Sequence, residues 1–248
     1  MNTLARELYS YIDLTTLNAT DHIHSINELI DFALTQNAKG LTVAAICVYP
    51  NFGAHVLNRL SETSIHTAVV AGAFPHGQTF LELKAQEVQL AAQIGVHDID
   101  VVLNRGLFFA GDFEGVENEI KVLKEHAGKA TLKVILESGE LKTEHNIRKA
   151  AQLAIKGGAD FIKTSTGKME IGANPEAVSI MCQEIKRNYQ ETGKKIGLKP
   201  SGGIRTVEDA ALYRDIVLTE LGNEWLTPEL FRIGASSLAN DLIKQIEG

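Results

Sequence analysis

Lys163 and Lys199 each close a short apolar run, Phe161-Ile162-Lys163 and Gly197-Leu198-Lys199, and each is followed by small hydroxyl and glycine residues. A lysine so placed is costly to bury, because desolvation disfavours the ammonium. By itself it more often lays its stem along apolar surface and keeps its head in water. Two such lysines on neighbouring elements read differently: adjacent ammonium groups repel, each is expected to lower the other's pKa, and a neutral lysine amine attacks an aldehyde to form an imine. From a reference pKa of about 10.4, only ~1 amine in 2,500 is neutral at pH 7, so a fall of about 3 units raises that fraction about a thousandfold and needs roughly 4 kcal/mol from the environment. An imine is an electron sink, which points to carbon–carbon bond chemistry.

That chemistry also needs a carboxylate to move protons. Asp98 and Asp100 share one run, and Asp100 is the candidate because it stands nearer the run's carboxyl end; the competing reading pairs either aspartate structurally with a lysine. Three further segments suit an oxyanion: Thr164-Ser165-Thr166-Gly167-Lys168, Ser201-Gly202-Gly203 and Gly234-Ala235-Ser236-Ser237. Glycine lets backbone N–H groups approach an anion, and the last segment opens a helical pattern whose N-terminus favours negative charge. Each alone reads as a plain turn. Three beside two lysines favour a phosphate site. None is a P-loop, since Ile162 stands where that motif needs its first glycine. The eight histidines are scattered, no H-E-x-x-H occurs, and His22 with His24 is the one close pair, so neither a catalytic metal nor a cofactor is expected.

These residues must be positioned by eight recurring apolar runs: Tyr9–Leu14, Gly40–Tyr49, His66–Phe74, His97–Leu103, Thr131–Glu137, Ala159–Thr164, Lys195–Lys199 and Phe231–Gly234. Helical patterns separate them, such as Thr79–Ile94 and Thr143–Ile155. Near-continuous hydrophobic runs are the signature of parallel strands covered on both faces. Eight βα units without a composition break predict an α/β fold, a single (β/α)8 barrel over residues 1–248; the rival doubly wound sheet lacks its G-x-G-x-x-G signature. In a barrel the strands' carboxyl ends carry the chemistry, which brings Asp13, Thr15 and Cys47 towards the same mouth. Cys47 itself reads as a small buried hydrophobe rather than a nucleophile. Glu184–Lys195 reads as the solvated end of a helix.

Composition narrows the function classes. The chain has 248 residues, 44% hydrophobic and 22% charged, which fits an ordinary globular domain. A net charge of −7 without blocks of like charge makes nucleic acid or an anionic membrane a poor partner. Two cysteines suggest a reducing compartment, and the absence of an apolar leader or an ~18-residue apolar stretch suggests the cytoplasm.

At these residues the sequence resembles the deoxyribose-phosphate aldolases, class I aldolases that cleave 2-deoxy-D-ribose 5-phosphate to D-glyceraldehyde 3-phosphate and acetaldehyde. Asp13-Leu14-Thr15-Thr16-Leu17, Ile46-Cys47-Val48-Tyr49-Pro50, Phe74-Pro75-His76-Gly77, Asp100-Val101-Val102, Phe161 through Gly167, Lys199 through Arg205 and Gly234 through Ser237 stand in family order. The resemblance implies that Lys163 forms the imine, that Asp100 and Lys199 transfer protons, and that Lys199 depresses the pKa of Lys163. It further implies that Gly167, Lys168, Gly202, Gly203, Gly234, Ser236 and Ser237 surround the phosphate and that Thr15 and Cys47 lie near the sugar, with Asp13 and Thr166 also expected to bind the substrate. Some members use a terminal tyrosine; Gln245-Ile246-Glu247-Gly248 holds none, so either a water and Asp100 suffice or turnover is slower. Arg105, in the segment after the fourth run, receives no role. Homo-oligomers, dimers or tetramers, are common among such barrels. A phosphosugar isomerase using carboxylates without an imine, and a non-catalytic sugar-phosphate sensor, are the rival readings, and the paired lysines favour the aldolase.

Overall fold

The computed structural model describes residues 2–248; Met1, the first residue of the span read as one barrel, lies outside the described residues. In chain order the elements are α1 (Asn2–Ser10), β1 (Ile12–Thr15), α2 (Ile23–Ala38), β2 (Ala45–Val48), α3 (Gly53–Arg59), β3 (His66–Ala71), α4 (Leu81–Ile94), β4 (Asp98–Val102), α5 (Arg105–Phe109), α6 (Phe113–Ala127), β5 (Thr131–Ile135), α7 (Ser138–Leu141), α8 (Glu144–Lys156), β6 (Phe161–Lys163), α9 (Pro175–Thr192), β7 (Gly197–Lys199), α10 (Val207–Leu221), β8 (Ile233–Ala235) and α11 (Leu238–Glu247). Asn104, Asp112, Thr143, Asn174 and Thr206 cap α5, α6, α8, α9 and α10, each side chain accepting a backbone N–H of the first turn.

All eight strands pair in parallel, in the order β7-β6-β5-β4-β3-β2-β1-β8. The barrel closes between β7 and β8 through the Leu198–Phe231 and Ser201–Gly234 bridges. The ladders are shorter than the apolar runs because helices bury the flanking residues after the strands have diverged. Several runs start ahead of their strands: Tyr9 belongs to α1, β2 begins at Ala45, five residues into its run, and β6, β7 and β8 begin at Phe161, Gly197 and Ile233, each two residues in. Nor is Glu184–Lys195 simply solvated. Glu184 is buried and holds Arg148 and Arg187 at 2.7 Å each, because this turn of α9 faces α8 rather than water.

Outward-facing Ile46, Val48, Val69, Ile99, Val101, Val134 and Ile162 join the helices in the main core. The interior is divided. Ala45, Cys47, Ala68 and Val70 on β2 and β3 form a separate small apolar cluster with Leu17, against which Tyr49 and Phe74 pack. The remaining strands fill the interior with charge: Asp13, Asp98, Asp100, Lys133, Lys163, Lys199 and Arg232 are all buried. Small residues on one side leave room for these long side chains on the other.

Towards the amino ends of the strands, Arg232 Nη1 reaches Asp13 at 2.7 Å and Asp98 at 3.3 Å, and Lys133 Nζ lies 2.9 Å from Asp98. Burial alone would raise the carboxyls of Asp13 and Asp98, but the neighbouring cations outweigh it and hold both below the usual range. A carboxylate whose folded pKa is depressed contributes stability above its unfolded value of about 3.9, lost as pH falls through the folded value. Asp100 behaves likewise, while Glu137, pushed up by burial, works in the opposite sense. Three carboxylates against one predict a urea midpoint that declines once the pH falls below about 4. A midpoint unchanged from about pH 5 to about pH 3 would contradict the stabilising role of this charge cluster.

Candidate active site

The register of β6 and β7 sets Lys163 directly beside Lys199, and the parallel ladders place both at the carboxyl end of the barrel. Asp100 reaches them from β4. Its Oδ2 accepts from Lys163 Nζ and from Lys199 Nζ, each at 2.8 Å, while Lys133 Nζ lies 3.6 Å from Oδ1. Lys199 also contacts Asp13 at 2.5 Å. Burial would raise the Asp100 carboxyl, but Lys163, Lys199 and Lys133 hold it well below the carboxylate range.

Lys199 departs from expectation. Burial would lower its pKa, yet Asp100 and Asp13 raise it above the ordinary lysine value, so mutual repulsion between the two amines does not set its state. Two carboxylates in direct contact outweigh one neighbouring cation. Lys199 is therefore a standing cation. Across the cluster, Asp13, Asp98 and Asp100 face Lys133, Lys199 and Arg232, so the buried charges balance without Lys163.

Above the lysines opens a cavity of about 340 Å3, lined by Lys163 at its floor and by the turns after β6, β7 and β8. Of the predicted residues, Thr15, Thr166, Gly167, Lys168, Gly202, Gly203, Gly234, Ser236 and Ser237 line it. These turns are tied to one another. Thr164 and Ser165 donate their hydroxyls to the Ser201 carbonyl at 3.1 and 2.8 Å, and Ser201 returns its hydroxyl to the Ser165 carbonyl at 2.6 Å. Gly202 has φ +86°, and a Cβ there would come within 2.5 Å of Ser165 Oγ, so only glycine fits the turn.

Asp13 and Cys47 are not among the residues that line this cavity. Both are buried outside the cavity lining: Asp13 lies against Lys199 and Arg232, and Cys47 belongs to the apolar cluster, where burial pushes its thiol up. Asp100 and Lys199 likewise lie beneath the floor, reaching the cavity through Lys163. Sequence reasoning missed Lys133 and Arg232, although a charge inside an otherwise apolar strand was the available signal, and it missed Arg205, which lines the cavity beside Gly203. The arrangement presents an amine held on a carboxylate at the bottom and a glycine- and hydroxyl-rich cradle at the rim. An aldehyde and an anionic group on one small molecule would engage both.

Comparison with known proteins gives a consistent picture. The family profile described as DeoC/LacD family aldolase matches residues 8–243. A deoxyribose-phosphate aldolase of Homo sapiens is 42% identical over 96% of this chain and 79% of its own length. Among solved structures, an aldolase designated QR15 superimposes with a TM-score of 0.77 at 29% identity, covering 96% of each chain. The deoxyribose phosphate aldolase of Aeropyrum pernix, described as a unique tetrameric structure, does so with a TM-score of 0.76 at 25% identity, covering 98% of this chain and 92% of its own.

Proposed function

The chain belongs to the DeoC/LacD family of aldolases, and on that premise we propose that it cleaves 2-deoxy-D-ribose 5-phosphate reversibly to D-glyceraldehyde 3-phosphate and acetaldehyde through an imine on Lys163. The observation that carries this reading is the pair of lysines sharing Asp100 Oδ2 at 2.8 Å beneath the cavity. Lys163 is the amine the buried charges can spare, and it is the one that lines the cavity.

In the forward direction the Lys163 amine adds to C1 of the open-chain sugar, and water leaves as a proton is returned through Asp100, forming the protonated imine. A relay of Asp100 and a water takes the proton of the C3 hydroxyl, with the Lys199 ammonium remaining beside Asp100 as its counter-ion and hydrogen-bond donor. The C2–C3 bond then breaks, its electron pair moving into the imine to give an enamine, while C3 becomes the aldehyde of the departing triose phosphate. The same relay protonates the enamine at C2, and water hydrolyses the resulting imine, releasing acetaldehyde and the free amine. When Lys163 becomes uncharged, Asp100 keeps Lys199 as its counter-ion, so no buried carboxylate is left unpaired at that step. The phosphate is read as lying at the rim, against Gly167, Lys168, Gly202, Gly203, Gly234, Ser236 and Ser237. Backbone N–H groups and the N-terminus of α11 there offer donors without needing a net positive protein.

The same reading extends to the surroundings of the site. Residues 1–248 act as one catalytic domain. A homo-oligomer, dimer or tetramer, is supported by the tetramer described for the archaeal relative. A cytoplasmic location is supported by two free, buried cysteines; no helix among the described residues is long and apolar enough to cross a membrane.

The test is to incubate the protein with acetaldehyde, reduce with borohydride and map adducts by peptide mass spectrometry. A gain of about 28 Da on Lys163, the mass of a reduced two-carbon imine, is the expected result. An unlabelled Lys163 would overturn the imine mechanism.

A further inference from the structure

Glu137 follows β5 and is wholly buried, yet it lies outside the cavity lining and has no contact with the lysine cluster. Its backbone sits in the left-handed region at φ 57° and ψ 58°, a conformation that a non-glycine residue keeps only where its surroundings hold it. Its side chain explains the hold. Both carboxylate oxygens accept the Thr166 backbone N–H at 3.3 Å, and Oε2 accepts the Thr166 hydroxyl at 2.6 Å. Thr166 Oγ1 in turn accepts the Lys168 backbone N–H at 3.1 Å. One carboxylate thus anchors Thr166, the first residue of the turn that presents Gly167 and Lys168 to the cavity.

The neighbouring contacts reinforce this connection. The segment after β5 is bonded along its backbone to the segment carrying Lys163: Leu136 N–H donates to the Lys163 carbonyl at 2.9 Å and Ser138 N–H to that of Thr164 at 2.8 Å. At Gly139 a Cβ would come within 2.5 Å of the Ile171 carbonyl oxygen, so the two loops lie in close backbone contact further out as well. Burial raises the Glu137 carboxyl, while the two Thr166 donors and the nearby Arg105 pull it back towards the anion; Arg105 itself is braced at 2.5 Å by Glu140. Lys163 and Thr164 are held by backbone bonds that survive a change at the Glu137 side chain. The Thr166–Lys168 turn is held from outside by that side chain at Thr166, beside the local bond from Gly167 N–H to Ser165 Oγ at 3.2 Å.

We propose that Glu137 is a positioning residue for substrate binding: through Thr166 it sets the height and orientation of the Gly167–Lys168 turn against the phosphate, and it takes no part in imine formation. This rests on the aldolase reading above. It predicts a split between phosphate recognition and amine chemistry that a merely structural residue would not produce.

The experiment compares wild type with Glu137→Gln in cleavage of 2-deoxyribose 5-phosphate, in inhibition by inorganic phosphate, and in borohydride trapping of acetaldehyde on Lys163. Replacing a charge-assisted acceptor by a neutral one roughly halves the bond's strength, so KM is expected to rise about tenfold and phosphate inhibition to weaken similarly, with the trapping rate within about twofold of wild type. An unchanged KM, or a trapping rate that falls along with binding, overturns the proposal. If Glu137→Gln does not fold, Glu137→Asp gives the same reading: the shorter carboxylate keeps its charge but draws away from Thr166, so KM should rise and phosphate inhibition weaken while the trapping rate stays within about twofold of wild type. An Asp variant with wild-type KM, or with trapping lost along with binding, would also overturn it. Failure of the aldolase reading would look different, since wild type itself would then neither cleave the sugar phosphate nor trap acetaldehyde.

Discussion

Lys163→Leu is expected to retain less than about a hundredth of wild-type cleavage activity, a barrier increase of at least ~2.7 kcal/mol, because the other lysine lining the cavity, Lys168, stands in the turn read as holding the phosphate and lacks the contact with Asp100 that Lys163 makes. The variant should nevertheless fold. Asp100 keeps Lys199 at 2.8 Å and Lys133 at 3.6 Å when Lys163 is gone, and the buried charges of the cluster remain balanced. Removing one partner of a buried ion pair is damaging when it strands the other; here nothing is stranded. The combination of a lost activity and a nearly unchanged urea midpoint is therefore the diagnostic outcome. Activity above about a hundredth of wild type would remove Lys163 from the covalent role.

Asp100→Asn should fail differently. The amide cannot carry the proton of the C3 hydroxyl, so kcat is expected to fall by about 10²- to 10⁴-fold, the usual contribution of a positioned acid–base group. KM should move little, since Asp100 lies beneath the cavity rather than in its lining. Stability should fall in this case. Lys133, Lys199 and Arg232 would then face only Asp13 and Asp98, and a buried excess of cation costs several kcal/mol unless one amine gives up its proton. Steady-state rates must accordingly be normalised to folded protein. If more than about a tenth of kcat survived that correction, Asp100 would not be the proton carrier.

Much of this protein is written locally in its chain. Near-continuous apolar runs alternating with capped helical segments specify eight parallel βα units, because a strand covered on both faces must be apolar on both and a helix must satisfy its first N–H groups. The same local signal marks Lys163, Lys199 and the glycine-rich turns, since a lysine closing an apolar strand or a glycine at positive φ is anomalous wherever it occurs. Tertiary structure decided which groups meet. Period-two alternation tells that Asp13, Asp98, Asp100, Lys133 and Arg232 point into the barrel, but strand stagger and closure choose their partners among residues as far apart as Asp13 and Arg232. Hence Asp13 pairs with Lys199 below the cavity, and the carboxylates beside Lys199 raise its pKa where a neighbouring amine would lower it. Glu137 was invisible for the same reason: its role exists only because the loop after β5 closes against the turn after β6. Residue type and spacing determine what can ionise, bend or be buried. The sign of a pKa shift, and the partner of a buried charge, come from a sum over neighbours that only the folded barrel assembles.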